Sequence, residues 1–322
     1  VTSEQFALRD TVRQLLTRES DTRAAMTSMP GYDEKLWTRL CALGVAGLAV
    51  PEEHGGLGAS FMETRIVLAE LGRTLTPCPF LGSAVVAAEA VLSTGADPAG
   101  LLPGIAAGTT IATLVSAPGA YVLDALVADV FLVVAGDGLY AYAPADVVIT
   151  PAATMDPTRR LATIALTDAP GRFLGVPDLA RTRAVARAAL CAEQAGAAAR
   201  CLELTVEHTK QRTQFGRAIG SFQALKHRMA DLHVLVETAE SAALAAAAAV
   251  VSGADLASVA ATAKVWCSEA FHTVAGEMIQ LHGGIAITWE HDAHLYFKRA
   301  HGSAHLFGSP RELVARLADE LG

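Results

Sequence analysis

The chain lacks most of what would mark a secreted, metal-binding or nucleic-acid-binding protein. Its five cysteines, Cys41, Cys78, Cys191, Cys201 and Cys267, are odd in number and scattered through 322 residues. No two have CxxC spacing and most lie in apolar helical sequence, so buried reduced thiols are expected rather than a disulfide framework. Charged residues make up only 18% of the chain, the net charge is −8, and there is no basic block. That balance excludes non-specific nucleic-acid binding. No apolar run reaches a membrane span, Ala242–Val251 being too short and too rich in alanine. The N-terminal segment, with Glu4, Arg9, Asp10 and Arg13, is amphipathic rather than signal-like, so a cytoplasmic location is expected. There is no internal repeat and no low-complexity linker. The histidines do not have metal-ligand spacing, His291 and His294 coming nearest, and no metal is expected.

What the chain does have is alanine-rich apolar sequence. It is 52% hydrophobic, which favours closely packed helices and a substantial core. Three textures follow one another. Residues 1–108 read as helices with turn-rich breaks, Phe6, Val12, Leu15 and Leu16 forming one apolar face and Leu36, Trp37 and Leu40 starting another. Pro51–Gly58 reads as a surface turn before a helix beginning near Ser60. It is not a phosphate-binding loop, since no strand precedes it and no Lys-Ser/Thr follows. Residues 109–178 hold short β-rich runs at 111–115, 130–134, 139–142, 147–149 and 162–166, with Gly136-Asp137-Gly138 as a hairpin signal. Residues 179–322 return to helix: Leu179–Lys210, Phe222–Val251 capped by Ser221, Leu256–Leu281, and a shorter helix from Trp289 to about His301 capped by Thr288. The expected fold class is mostly α with a small β domain.

Two turns in the last region carry chemistry. Gln211–Gln223 joins two long helices and concentrates Arg212, Phe215, Gly216 and Gln223. A guanidinium can grip pyrophosphate oxygens bidentately, and a flat ring can lie against a purine. Gln280-Leu281-His282-Gly283-Gly284 ends the third long helix. A Gly-Gly pair is first a stop signal, yet it also lets backbone N–H groups approach phosphate oxygens.

Arg-x-x-Phe-Gly followed by Phe-Gln, then Gln-x-x-Gly-Gly, resembles the flavin-binding turns of acyl-CoA dehydrogenases. Pro51–Gly58 is similar to a turn in the N-terminal helical domain of that family, and the order helices, β domain, long-helix bundle matches it over essentially the whole chain. The resemblance implies FAD as cofactor. It makes Arg212, Phe215, Gly216, Gln223, Gln280, Gly283 and Gly284 a half-site that reaches across a subunit interface to a neighbour's flavin. The receiving half departs from the family's Thr-Glu-Pro-x-x-Gly-Ser-Asp-like element, reading Thr113–Ala120 here, and the β region is short.

The family's chemistry needs a carboxylate to remove the α-proton of an acyl-CoA thioester while the β-hydrogen leaves as hydride. By resemblance its usual position is Phe307, in His305–Pro310. The minority position falls near Ala186 and Arg187. Neither is an acid, so no catalytic base is assigned. His301, His305 and Glu290 remain as candidates. Glu290, His291, Asp292 and His294 also suit a helix start, where the dipole favours acids. Glu193 lies too far along its helix, and Arg159 and Arg160 read as surface or interface charges.

The resemblance therefore implies the short, supporting subunit of a heteromeric, steroid-type acyl-CoA dehydrogenase. A longer catalytic partner, in a heterotetramer, would supply the glutamate and acyl pocket, and electrons would pass to a separate acceptor. The alternatives are a self-sufficient homo-oligomer with an atypical base such as His305, or a flavin-free acyl-CoA-binding scaffold.

Overall fold

A capping box starts the chain's first helix. Thr2 accepts the N–H of Gln5 at 3.3 Å, and the Gln5 side chain accepts the N–H of Thr2 at 3.0 Å. The computed structural model describes residues 2–321. The N-terminal helices are α1 (Ser3–Glu19), α2 (Thr22–Thr27), α3 (Glu34–Ala42), α4 (Phe61–Thr74), α5 (Ala88–Leu92) and α6 (Leu102–Ala107). Val12, Leu15 and Leu16 face the core as expected, but Phe6 is 46% exposed beneath the Arg9 guanidinium. The turn before α4 is a surface turn, and Ser60 caps that helix by accepting the Met62 N–H. A π-helical stretch, Phe80–Ala87, runs directly into α5 and is buried throughout.

Seven strands follow: β1 (Ala112–Val115), β2 (Val122–Leu123), β3 (Val130–Ala135), β4 (Gly138–Tyr142), β5 (Val147–Pro151), β6 (Leu161–Leu166) and β7 (Arg172–Gly175). They form a four-stranded sheet in the order β1-β3-β4-β7 and a three-stranded sheet β2-β6-β5. The β1–β3 pair is parallel, and β3–β4 is the hairpin expected at Gly136. Five strands are the runs read from sequence. The short β2 and β7 lack enough alternation to show.

The C-terminal helices are α7 (Leu179–Gln211), α8 (Gln223–Ser252), α9 (Leu256–His282), α10 (Ala293–His305) and α11 (Pro310–Leu321), with a two-stranded hairpin, β8 (Thr213–Gln214) and β9 (Arg217–Ala218), between α7 and α8. Two expected caps are corrected. Ser221 donates back to the Ala218 carbonyl, so α8 begins at Gln223 without a side-chain cap. Thr288 donates to the Ile285 carbonyl, so the last-but-one helix starts only at Ala293 and runs on to His305.

α7 is the central post of the bundle, packed by α4, α8 and α9. Its small side chains decide how near the others come. A Cβ on Gly72 of α4 would overlap the Glu193 carbonyl, and one on Gly196 of α7 would overlap the Ala69 carbonyl. Each glycine thus admits the other helix's backbone. α8 differs. Leu232, Val236, Ala239, Ala243 and Ala246 pack inward, while Val234 (60%), Leu244 (40%) and Val251 (56%) are exposed. By length and composition the whole helix reaches membrane-span size, although its ten-residue alanine run does not.

Candidate functional site

The first turn is a hairpin whose tip is Phe215-Gly216. Both tip residues have positive φ, +52° and +75°, the signature of a two-residue hairpin turn that matches strand twist. Gly216 adopts this freely. Phenylalanine does so at a cost of about 1–2 kcal/mol, and its ring is 92% exposed. The strain therefore holds an aromatic ring out from the surface instead of burying it. Phe222 meets Phe215 edge-to-face at 6.1 Å, and the Arg217 guanidinium lies 4.0 Å from the Phe222 ring centroid. Arg212 ends α7, its backbone tied to His208 and Ile219, and its exposed side chain forms no hydrogen bond among the described residues. Gln223 opens α8 and is exposed.

The second turn stands beside the first. The His208 ring, one turn before Arg212, stacks on His282 at 4.2 Å, and His291 packs on His282 at 4.6 Å. This imidazole stack joins the end of α7 to the end of α9. Gly283 follows with φ +69°, and neither it nor Gly284 nor Gly216 has any atom near where a Cβ would stand. Gln280 is exposed on the same helix end. An unpartnered guanidinium, a presented aromatic and open glycine backbone suit a planar ligand bearing phosphates. His208, His282 and His291 escape sequence reasoning because their positions are 74 and 9 residues apart and meet only in the fold.

Burial pushes His282 down to about 4, with His208 and His291 adding to the shift, while its bond to the Met278 carbonyl opposes it. The folded state therefore favours neutral His282. This stability is full above about 6.5 and is lost as pH falls towards about 4. The melting temperature of His282→Asn is expected to fall less than that of the parent across that window. Parallel curves in a pH-scanned thermal melt would refute the assignment.

A cavity of about 610 Å³ lies between the π-helical stretch, the β region and the C-terminal helices. Phe307, Ala186 and Arg187 all line it. Arg187 Nε donates to the Phe307 carbonyl at 2.9 Å, so the two positions singled out for a base meet at one wall. The acids on the lining are both engaged. Asp156 accepts from Thr158 and Arg299, and Glu312 accepts the Ser309 N–H. His301 and His305 reach the cavity, His301 packed against His272 at 5.1 Å and held below its ordinary value mainly by burial. Glu290 does not line it. Glu290 is exposed at a turn, its N–H bonded to Thr288.

Arg159 and Arg160 are not surface charges. The Arg159 side chain is 10% exposed and holds Glu193 in a two-pronged ion pair at 2.5 and 2.7 Å. Arg299, at 3% exposure, joins Glu193 at 2.8 Å to Asp156 at 3.0 Å. Burial would raise the Glu193 carboxyl, yet the guanidiniums of Arg159 and Arg299 hold it below its ordinary value. Glu193 is thus a buried anion with two counter-ions, unsuited to taking a proton. Arg160 donates to the backbone carbonyls of Met26, Ser28 and Met29, closing the loop after α2.

Comparison with known proteins agrees with this architecture. The domain family described as Acyl-CoA dehydrogenase, N-terminal domain, matches residues 2–109, and Acyl-CoA dehydrogenase, C-terminal domain, matches residues 175–320. The chain is 48% identical to acyl-CoA dehydrogenase IpdE2 of Mycobacterium tuberculosis, over 99% of this chain and 97% of that one. It is 44% identical to IpdE2 of Mycolicibacterium smegmatis over the full length of both. Among solved structures it is similar to a Tcur3481-Tcur3483 steroid ACAD variant (TM-score 0.91, 29% identity, 99% of this chain and 97% of that one). It is also similar to the ChsE4-ChsE5 complex from Mycobacterium tuberculosis (TM-score 0.88, 25% identity, 100% and 98%).

Proposed function

The chain belongs to the acyl-CoA dehydrogenase family, and from that premise we propose that it is the supporting subunit of a heteromeric, FAD-dependent acyl-CoA dehydrogenase. The observation that carries this reading is the wall of the cavity, where Phe307 meets Arg187. Proton abstraction from the α-carbon needs a free carboxylate, and neither residue is one. The lining acids, Asp156 and Glu312, are already hydrogen-bonded. A catalytic partner with its own glutamate meets that need.

This chain's contribution lies at its two turns. Arg212 would bind pyrophosphate oxygens, Phe215 would lie against the adenine, and Gly216, Gln223, Gln280, Gly283 and Gly284 would supply close backbone and amide donors. When bound, the flavin accepts the hydride that leaves the β-carbon. The residues named here position and retain it. The exposed aliphatic side chains of α8 support a partner, because Val234, Leu244 and Val251 are left without cover. Steroid-derived acyl-CoA thioesters are the proposed substrate class, since the Tcur3481-Tcur3483 relative is a steroid enzyme.

The test is the flavin-to-chain ratio, by absorbance, for the chain alone and co-expressed with a longer homologue that carries a glutamate in the turn matching Phe307. Colourless chain alone and one flavin per pair are expected. In the complex Arg212→Ala should weaken flavin retention about tenfold or more, the loss of a charge-assisted contact. A full flavin per isolated chain, bleached by acyl-CoA, would sink the proposal and turn attention to His301 and His305, the imidazoles that line the cavity.

A further inference from the structure

The cavity wall carries more positive charge than its own structure uses. Arg183, Arg187 and Arg316 all line it, and none of the three pairs with an acid among the described residues. Arg187 is only 8% exposed, and its single hydrogen bond among the described residues runs from Nε to the Phe307 carbonyl. Its two terminal nitrogens are left without partners beside the cavity. Burial pushes the Arg187 guanidinium below its ordinary value, and the neighbouring charges of Arg316 and Arg183 push it further. Glu312, an acid on the lining, accepts the Ser309 N–H at 2.9 Å and feels the charge of Arg316 without forming an ion pair with it. These nitrogens are not sealed from solvent but open onto the cavity, where a guanidinium without a counter-ion is stabilised by an arriving anion. Aliphatic side chains, Val86, Leu114, Leu123 and Leu161 among them, share the lining with the polar Thr113, Asp156, His301 and His305.

We propose that this cavity binds an amphipathic organic acid, its carboxylate held by Arg187 between Arg183 and Arg316 and its hydrocarbon body against the aliphatic lining. A volume of about 610 Å³ accommodates a two- or three-ring body. The fork of a guanidinium matches a carboxylate in two parallel hydrogen bonds. A neutral ester or thioester carbonyl offers it no charge to neutralise. The ligand is bound and not turned over, since a free carboxylate lacks the thioester that acidifies an α-proton. The site is separate from the two glycine turns, and its test reads no flavin, so it stands or falls apart from the supporting-subunit proposal.

The experiment is calorimetric titration of the full chain with 2-naphthoate and, in parallel, with its neutral methyl ester. One acid per chain is expected, bound about tenfold or more tightly than the ester. Arg187→Gln should lower the acid's affinity to that of the ester. Because Arg187 also holds the Phe307 carbonyl, Arg316→Gln, on an exposed residue, is the second variant. It should weaken the acid several-fold and the ester not at all. Equal affinity for acid and ester would overturn the proposal, as would unchanged acid binding in Arg316→Gln. Displacement of 2-naphthoate by equimolar inorganic phosphate would also overturn it, by making the site one for small anions.

Discussion

Glu193→Ala is expected to destabilise the fold by about 3–5 kcal/mol, because it removes, among the described residues, the only counter-ion of buried Arg159 and one of the two of Arg299. Arg159 and Arg299 both end on this carboxylate, at 2.5 and 2.8 Å, and their side chains are 10% and 3% exposed. Asp156 and Thr158 continue to hold Arg299, but Arg159 keeps only Ser303. The network ties the β-region segment that carries Asp156–Arg159 to α7 and α10, so its loss loosens a joint between regions. Arg18→Ala is the contrasting case. Its pair with Glu19 has the arginine 74% exposed, and its loss should cost no more than about 0.5 kcal/mol. Urea unfolding of both variants gives the comparison, and a Glu193→Ala midpoint equal to that of Arg18→Ala would refute the account.

Gly196→Val should cost about 3 kcal/mol, and even Gly196→Ala should destabilise. On an open helix face alanine is better than glycine by about 1 kcal/mol, so intrinsic preference predicts the opposite sign. Packing reverses it. The added Cβ meets the Ala69 carbonyl of α4, a rigid backbone atom that cannot swing aside as a side chain would. Gly72, reciprocally placed against the Glu193 carbonyl, should behave alike. Gly276 of α9, where an added Cβ would meet only the Phe297 ring at 3.8 Å, is the control for substitution at a helical glycine. A stabilised Gly196→Ala in thermal or chemical unfolding would show that the helices separate freely.

The long helices and five of the strands were legible because their signals are local: alanine-rich apolar repeats, β-branched runs and glycine at the ends. The caps at Ser221 and Thr288 were not. Serine and threonine hydroxyls also bond back to carbonyls three residues earlier, which is what both do here. Arg159 and Arg160 look like surface charge in sequence because their partners are remote. Glu193 is 34 positions from Arg159, and Ser303 is 144. The glycine turns stood out because Arg212, Phe215, Gly283 and Gly284 form compact motifs. The histidine stack and the arginine-lined cavity did not, since each is completed only by residues remote in sequence.

The uncovered aliphatic side chains on α8 have a consequence for how much of the protein persists. A surface that is favourable only when covered makes the folded chain more stable in proportion to the logarithm of free partner concentration. On the supporting-subunit proposal, copies made in excess of that partner therefore open more often and meet proteases sooner. The thirty residues from Gln223 to Ser252 then act as a dosage gauge. They match the abundance of one polypeptide to the other without any dedicated regulator, through exposed aliphatic side chains such as Val234, Leu244 and Val251.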